Sequence, residues 1–346
     1  MLTDFDFSMA DMKESKGFQW TVLTLMGFCL ALLIALHISA PTNTTSKAPK
    51  AVLKLPDEVA KRPENTEEDL KPLQGGNTPK SLSANDLTTA FDKLGYRLKD
   101  VREGEISVPR LFLASLPHDL ANLTQTEERK TLFFKALLPL ILKTNEEILA
   151  ERARILRLRH RLNLGLDIIA QDQIWLKATF ERYKVRGQKF DQLLQKVDIV
   201  PPSLALAQAA EESGWGTSRF VREGNALFGQ WTFNENDDGI VPAQRGDDQN
   251  HRIKAFDSIK DSLRAYVHNL NTHTAYKSLR VKRAFMRNTR RPIKGSILAT
   301  TLDKYSERGE QYIVSLKAIM DKNNLSLYDT VTLADKMMLA SAEPVI

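Results

Sequence analysis

The sequence predicts a mainly α protein with a small β-hairpin lobe, preceded by one N-terminal transmembrane helix. Three observations carry this expectation. Residues 18–40 form an apolar run without a single Asp, Glu, Lys or Arg. From about residue 86 the apolar side chains recur at three- and four-residue spacing, the period of a helix. Two short runs, Ile240-Val241-Pro242-Ala243 and His251 to Phe256, flank polar Gly246-Asp247-Asp248 and read as a hairpin.

The elements follow in order. Residues 1–17 are a short tail. Residues 18–40 meet the length of about 20 apolar residues that a membrane-spanning helix needs, with Trp20 near one end as interfacial aromatics often are. A cleaved signal peptide fits less well. Acidic Asp4, Asp6, Asp11 and Glu14 precede the run, and Ile38-Ser39-Ala40 is a poor cleavage site. Lysines flank both sides (Lys13 and Lys16; Lys47, Lys50 and Lys54), so charge does not set the orientation. Residues 41–85, punctuated by Pro41, Pro49, Pro56, Pro63, Pro72 and Pro79, read as a flexible linker with too little apolar surface to fold.

Residues 86–195 read as a helical N-terminal subdomain. Asn85-Asp86 opens a helix over Leu87, Ala90, Phe91 and Leu94. An apolar helix starts at Thr126 and is kinked or divided by Pro139, and an amphipathic run covers 146–162. Helices over 168–180 and 190–197 follow. Residues 196–330 form a second domain: a helix over Ser203–Ser213, the hairpin, a helix from Ser258 to Leu270 capped by Asp257 or Ser258, and helices around 294–304 and 309–322. Residues 331–346 are a tail.

The single cysteine, Cys29, lies inside the apolar run, which excludes an intramolecular disulfide and a thiolate metal cage. A net charge of +6 admits an anionic partner of any kind: wall polymer, lipid or nucleic acid. His268 and His273 are at the wrong interval for one helical face, and no H-E-x-x-H occurs, so no metal or cofactor is expected. The basic runs 152–161 and 280–291 read as solvated faces.

The chemistry concentrates in Glu211-Glu212-Ser213-Gly214-Trp215-Gly216. Cleavage of a glycosidic bond needs a carboxylic acid that keeps its proton near neutral pH, which requires desolvation. An acid at the end of an apolar helix, with an indole three residues on as an apolar wall and glycines that admit a polymer, satisfies that demand. Adjacent residues on a helix point about 100° apart, so only one of Glu211 and Glu212 faces a cleft.

Taken together, VPPSLALAQAAEESGWGTSRF, NALFGQW and DKYSERGEQYI resemble the glucosaminidase domain of glycoside hydrolase family 73, most of all its membrane-attached Bax-type members. The resemblance covers roughly 195–325. It implies a lysozyme-like fold, mostly α with a hairpin lobe beside a cleft, and cleavage of the β-1,4 bond after N-acetylglucosamine in peptidoglycan. The family's catalytic glutamate directly precedes Ser-Gly-Trp-Gly, which singles out Glu212; Tyr305 matches its functional tyrosine. Asn225 reads as ordering its loop by side-chain bonds to backbone and Gly229 as permitting close approach, and both are candidates to touch sugar. Trp215, Phe228 and Trp231 are the candidate aromatic faces for substrate, with core packing equally open for Phe228. Many members carry a second glutamate on the hairpin. The matching strand here, 241–245, has no acid, and Asp237, Asp238, Asp247 and Asp248 read as solvated turn. The expected partners are peptidoglycan glycan strands and the inner membrane through residues 18–40, with the catalytic domain in the periplasm and no nucleic acid. The rivals are a non-catalytic wall-binding scaffold and a lytic transglycosylase on a similar fold.

Overall fold

The computed structural model describes residues 82–243 and 250–335, all within the unit Glu67–Ile346. The candidate anchor 18–40, Cys29, residues 41–81 of the linker, Gly246-Asp247-Asp248 and the tail beyond 335 lie outside the described residues. No helix among the described residues is long and apolar enough to cross a membrane.

The first helix, α1 (Ala84–Lys93), begins before the Asn85-Asp86 pair. Ser83 is the cap, and its hydroxyl accepts from the Asp86 amide while Asp86 answers at the Ser83 amide, a reciprocal capping box. A one-and-a-half-turn helix, α2 (Leu98–Glu103), follows and stops at left-handed Gly104. Then α3 runs unbroken from Thr126 to Asn163, 38 residues, with Pro139 inside it. Proline costs a helix interior about 3 kcal/mol and one backbone bond. The helix continues because every residue from Leu132 to Leu142 is buried, so packing on all sides outweighs the penalty. The expected division at Pro139 is absent for that reason.

α4 (Ala170–Arg182) and α5 (Phe190–Lys196) lead to the central helix, α6 (Pro202–Ser213). Residues Pro202–Ala210 of α6 are all buried. A helix buried all round is the middle of a core, and α6 packs against α3, α10 (Gly295–Ala299), α11 (Glu310–Lys322) and the 3-10 turn Leu325–Thr330. Its alanines and Ser203 allow the close approach. Gly295 is the tightest point, since a Cβ there would lie 2.1 Å from Ser203 Oγ.

After α7 (Arg219–Gly224) comes β1 (Trp231–Thr232), and then the expected antiparallel pair, β2 (Gly239–Ile240) and β3 (Arg252–Lys254), to which β1 adds a third strand. The order is β1-β3-β2, both pairings antiparallel, with Ile253 opposite Trp231 on one side and Ile240 on the other. The last strand in sequence is therefore the middle one. α8 (Ile259–Thr272), capped by Ser258, and α9 (Lys277–Asn288) complete the helices.

The basic runs are only partly solvated. Arg283 is fully buried and Arg280 nearly so. The Arg283 guanidinium donates to the carbonyls of Gln195, Asp198 and Ile199 and to Asn271 Oδ1. Arg287 forks onto the Asp198 carboxylate at 2.5 and 2.7 Å, and Arg152 lies 3.7 Å from it. Asn145 of α3 bonds both the amide and the carbonyl of Val200. The strand of chain entering α6 is thus gripped by a buried polar clamp, which a run of arginines in sequence does not disclose.

Candidate active site

The start of α6 is fixed by an acid from elsewhere in the chain. Pro202 at the first turn needs no amide partner, and the next free amide, Ser203 N, donates to Asp329 Oδ1 at 2.9 Å. Asp329 Oδ2 accepts from Ser203 Oγ and from Gly295 N. Burial pushes the Asp329 carboxyl up, against the pull of these donors.

At the other end the two glutamates part. Glu211 pairs with Arg308 Nη2 at 2.6 Å. Glu212 turns inward, and its Oε1 accepts from the Tyr312 hydroxyl at 2.8 Å. Behind that bond stands a chain of fixed direction. Tyr312 accepts from Gln208 Nε2 at 2.9 Å, and Gln208 Oε1 accepts from the Tyr266 hydroxyl at 2.7 Å. Gln208 is fully buried in α6, one turn before Glu212. Because its amide donates into the Tyr312 oxygen, the single Tyr312 proton is directed at Glu212.

Burial raises the Glu212 carboxyl above its ordinary range; the Tyr312 bond opposes this, Glu211 adds to it and Arg308 opposes it. Tyr312 is held far above the usual phenol range, chiefly by burial and then by the Glu212 charge. Tyr266 and Tyr305 are raised in the same way, burial first. All three phenols therefore stay protonated. Tyr305 stacks on Tyr312, with ring centroids 5.4 Å apart and planes 6° from parallel, and Tyr276 leans on Tyr305 at 5.7 Å. The phenol that touches the carboxyl is Tyr312, seven residues beyond the tyrosine the resemblance singles out.

The turn after Glu212 serves packing. Gly214, Trp215 and Gly216 all have positive φ, 56°, 61° and 77°, a conformation rare for a residue as bulky as tryptophan. Ser213 closes the turn: its hydroxyl donates to Ala209 O at 2.5 Å and accepts from Gly216 N at 2.8 Å. A Cβ on Gly216 would meet Leu116 at 2.6 Å and Leu120 and Phe133 at 3.0 Å. The glycine seats the turn against Leu116, Leu120 and, from α3, Phe133. The expected indole wall over the acid is corrected. The Trp215 ring contacts are edge-on with Phe133 and Phe134, beneath the Lys130 ammonium at 5.2 Å, while tyrosines surround the acid.

Asn-Ala-Leu-Phe-Gly, 225–229, leads from α7 into the sheet lobe. Asn225 ends α7 in the left-handed region, and its side-chain amide donates to the carbonyls of Phe256 and Asp257. Phe228 is buried and stacks on Tyr266 at 3.8 Å and 5°. It is thus a core residue and not a sugar platform, and it braces the outermost member of the Glu212 chain. Gly229, φ +56°, faces open space. Trp231 is 60% exposed and lies flat against His251 at 4.1 Å, with exposed Phe233 at its edge. This is the exposed aromatic surface of the lobe.

Among the described acids of the lobe, Asp237 is already engaged. Asp237 bonds Thr232 Oγ1 at 2.6 Å and Lys254 Nζ at 3.0 Å, and those two donors hold it below the ordinary carboxylate range. Asp247 and Asp248 lie outside the described residues. The histidines serve separate ends: His268 packs on Tyr183, and His273 accepts from Ala275 N.

Residues 187–325 match the glucosaminidase family, described as mannosyl-glycoprotein endo-beta-N-acetylglucosaminidase. Protein Bax of Escherichia coli (strain K12) is 33% identical over 216 residues, 61% of this chain and 75% of that protein. Among solved structures, the catalytic domain of the autolysin Auto from Listeria monocytogenes is 20% identical, with a TM-score of 0.30, over 50% of this chain and 96% of that one.

Proposed function

This chain belongs to the glucosaminidase family and is a glycoside hydrolase; from that premise we propose that it hydrolyses peptidoglycan at the β-1,4 bond after N-acetylglucosamine, with Glu212 as general acid. The observation that carries the reading is the part-buried Tyr312–Glu212 hydrogen bond, whose direction is set from Gln208. With Oε1 engaged, the acid proton resides on Oε2, the oxygen left to face a sugar. Transfer of that proton to the glycosidic oxygen accompanies cleavage of its bond to C1. Water then adds to C1, leaves a reducing N-acetylglucosamine and returns a proton to Glu212. Proton transfer of this kind contributes about 10²–10⁴ in rate. Trp231 supplies a flat face for a sugar ring, and Gly229 the open backbone beside it.

A second chemistry has one observation in its favour. Among the described residues, Glu211 and Asp237 are both held in ion pairs, which favours a mechanism needing a single acid. A lytic transglycosylase is of that kind: the sugar's own 6-hydroxyl attacks C1, and the product ends in a 1,6-anhydro ring. The test is digestion of purified peptidoglycan by wild type and Glu212→Gln, read by mass spectrometry. Reducing N-acetylglucosamine ends, lost in the variant, support hydrolysis; anhydro ends replace it with the second chemistry; ends that persist in Glu212→Gln refute Glu212 as the acid.

The proposal extends to location. The uncharged run 18–40 supports a single inner-membrane span, with the catalytic domain in the periplasm. Protease digestion of spheroplasts, which removes the domain only if it faces outward, checks this.

A further inference from the structure

We propose that the chain carries a second binding site, for a small phosphate ester, in the basic cavity between α2, the first turns of α3 and the end of α11. The cavity is about 420 Å³ and contains no residue of the Glu212 chain. Six cations line it: Arg97, Lys99 and Arg102 from α2 and its cap, Lys130 and Lys135 from α3, and Lys322 from α11. Glu127 is the only carboxylate on its wall. Partners outside the wall offset part of the charge: Asp100 for Arg97, Glu103 for Lys99 and Asp92 for Lys135. Arg102 reaches only the Tyr328 hydroxyl, at 3.3 Å. Glu105 stands beside Asp100 and Glu103, so six cations face five carboxylates and the balance is positive by one.

Two of the lysines are sheltered. The side chains of Lys130 and Lys135 are only 12% and 10% exposed, laid over the rings of Trp215 and Phe91. Their acid partners stand out in solvent, Glu127 at 81% exposed and Asp92 at 66% and 3.7 Å away. Desolvated ammonium groups gain much more from an anion that enters the cavity than from a carboxylate in bulk water. Glu127 is held below the ordinary carboxylate range by its bond to Lys130, with Lys322 assisting. Glu127 holds Lys130 from the solvent side, and an oxyanion entering the cavity competes with it for that ammonium.

The arrangement of donors selects the class of anion. One arginine fork satisfies a planar carboxylate. Here arginines and lysines from three separate elements line one cavity, with Asn323 and Asn324 on the same wall. That suits a tetrahedral group with three acceptor oxygens and a charge near −2.

Isothermal titration of the full-length chain with pyrophosphate and with succinate, at equal ionic strength, tests the site directly and independently of glycan cleavage. Pyrophosphate binds saturably, and Lys322→Met, at the exposed end of α11, and Lys130→Met each weaken it about tenfold or more, the worth of one charge-assisted hydrogen bond. Glu127→Gln tightens binding, while the remote Glu181→Gln, with the same change in charge, does not. The site is refuted by non-saturable binding, by succinate binding as tightly as pyrophosphate, or by remote Lys177→Met weakening binding as much as Lys322→Met.

Discussion

Replacing Tyr312 with phenylalanine separates the two effects of its hydroxyl on Glu212. The ring stays, and with it the stacking on Tyr305. One oxygen is removed, which donates to Glu212 at 2.8 Å and accepts from Gln208 at 2.9 Å. A hydrogen bond to an ionised carboxylate contributes about 1.5–3 kcal/mol, and one between neutral groups about 0.5–1.5. The wild-type bond therefore favours the ionised acid by roughly 1–2 kcal/mol, against the burial that favours the protonated one. Without it the protonated form persists to higher pH, and the alkaline limb of the rate profile moves up. The plateau falls by about tenfold, equivalent to about 1.4 kcal/mol of lost orientation. Gln208 Nε2, left buried without its acceptor, costs about 1–3 kcal/mol of stability. The assay is release of dye from labelled peptidoglycan at low substrate over a range of pH, where the limb reports the free enzyme. A limb that stays in place or moves toward acid, with the plateau intact, refutes the chain from Gln208 to Glu212.

Glu212→Gln raises the melting temperature at neutral pH while activity disappears. The folded carboxyl is raised, so its contribution to stability is complete below the unfolded value and lost as pH rises through the folded one; calorimetry shows the gain at neutral pH and none in acid. Asp198 behaves oppositely. Burial pushes it up, but Arg287, Arg283 and Arg152 together bring it below the ordinary value, so its stabilisation is present above the unfolded value and lost as pH falls through the folded one. Asp198→Asn costs about 3–5 kcal/mol in chemical denaturation, because buried guanidinium groups lose their counter-charge. Trp231→Ala raises KM several-fold through a lost stacking face of about 0.5–1.5 kcal/mol, and thermal melts show its stability unchanged because the ring is largely exposed.

The helices were legible because long apolar runs repeat at helical spacing, and the family resemblance singles out Glu212 as candidate acid from a few adjacent residues. What stayed hidden depends on distant pairs. Strands of two or three residues carry no alternation to read, and the central position of Arg252–Lys254 follows from pairing alone. Tyr312 touches Glu212 across 100 residues of sequence. Gln208 did leave a local trace, as the one amide in the apolar stretch Leu204–Ala210, and a lone buried amide needs partners. Arg283 left none, since a buried arginine and a solvated one look alike in a basic run. Phe228 misleads because an aromatic ring suits a core and a sugar equally well.

The seat of Gly216 on Leu116, Leu120 and Phe133 has a practical corollary for anyone trimming the gene. The stretch that matches the family begins at residue 187, but the floor under its acid-bearing turn is supplied more than fifty positions upstream. Cut at the family boundary, the fragment would expose a greasy socket and lose the ledge that holds Glu212 in place. The family-matching segment of this chain is not a portable cassette, because its turn rests on residues upstream of it.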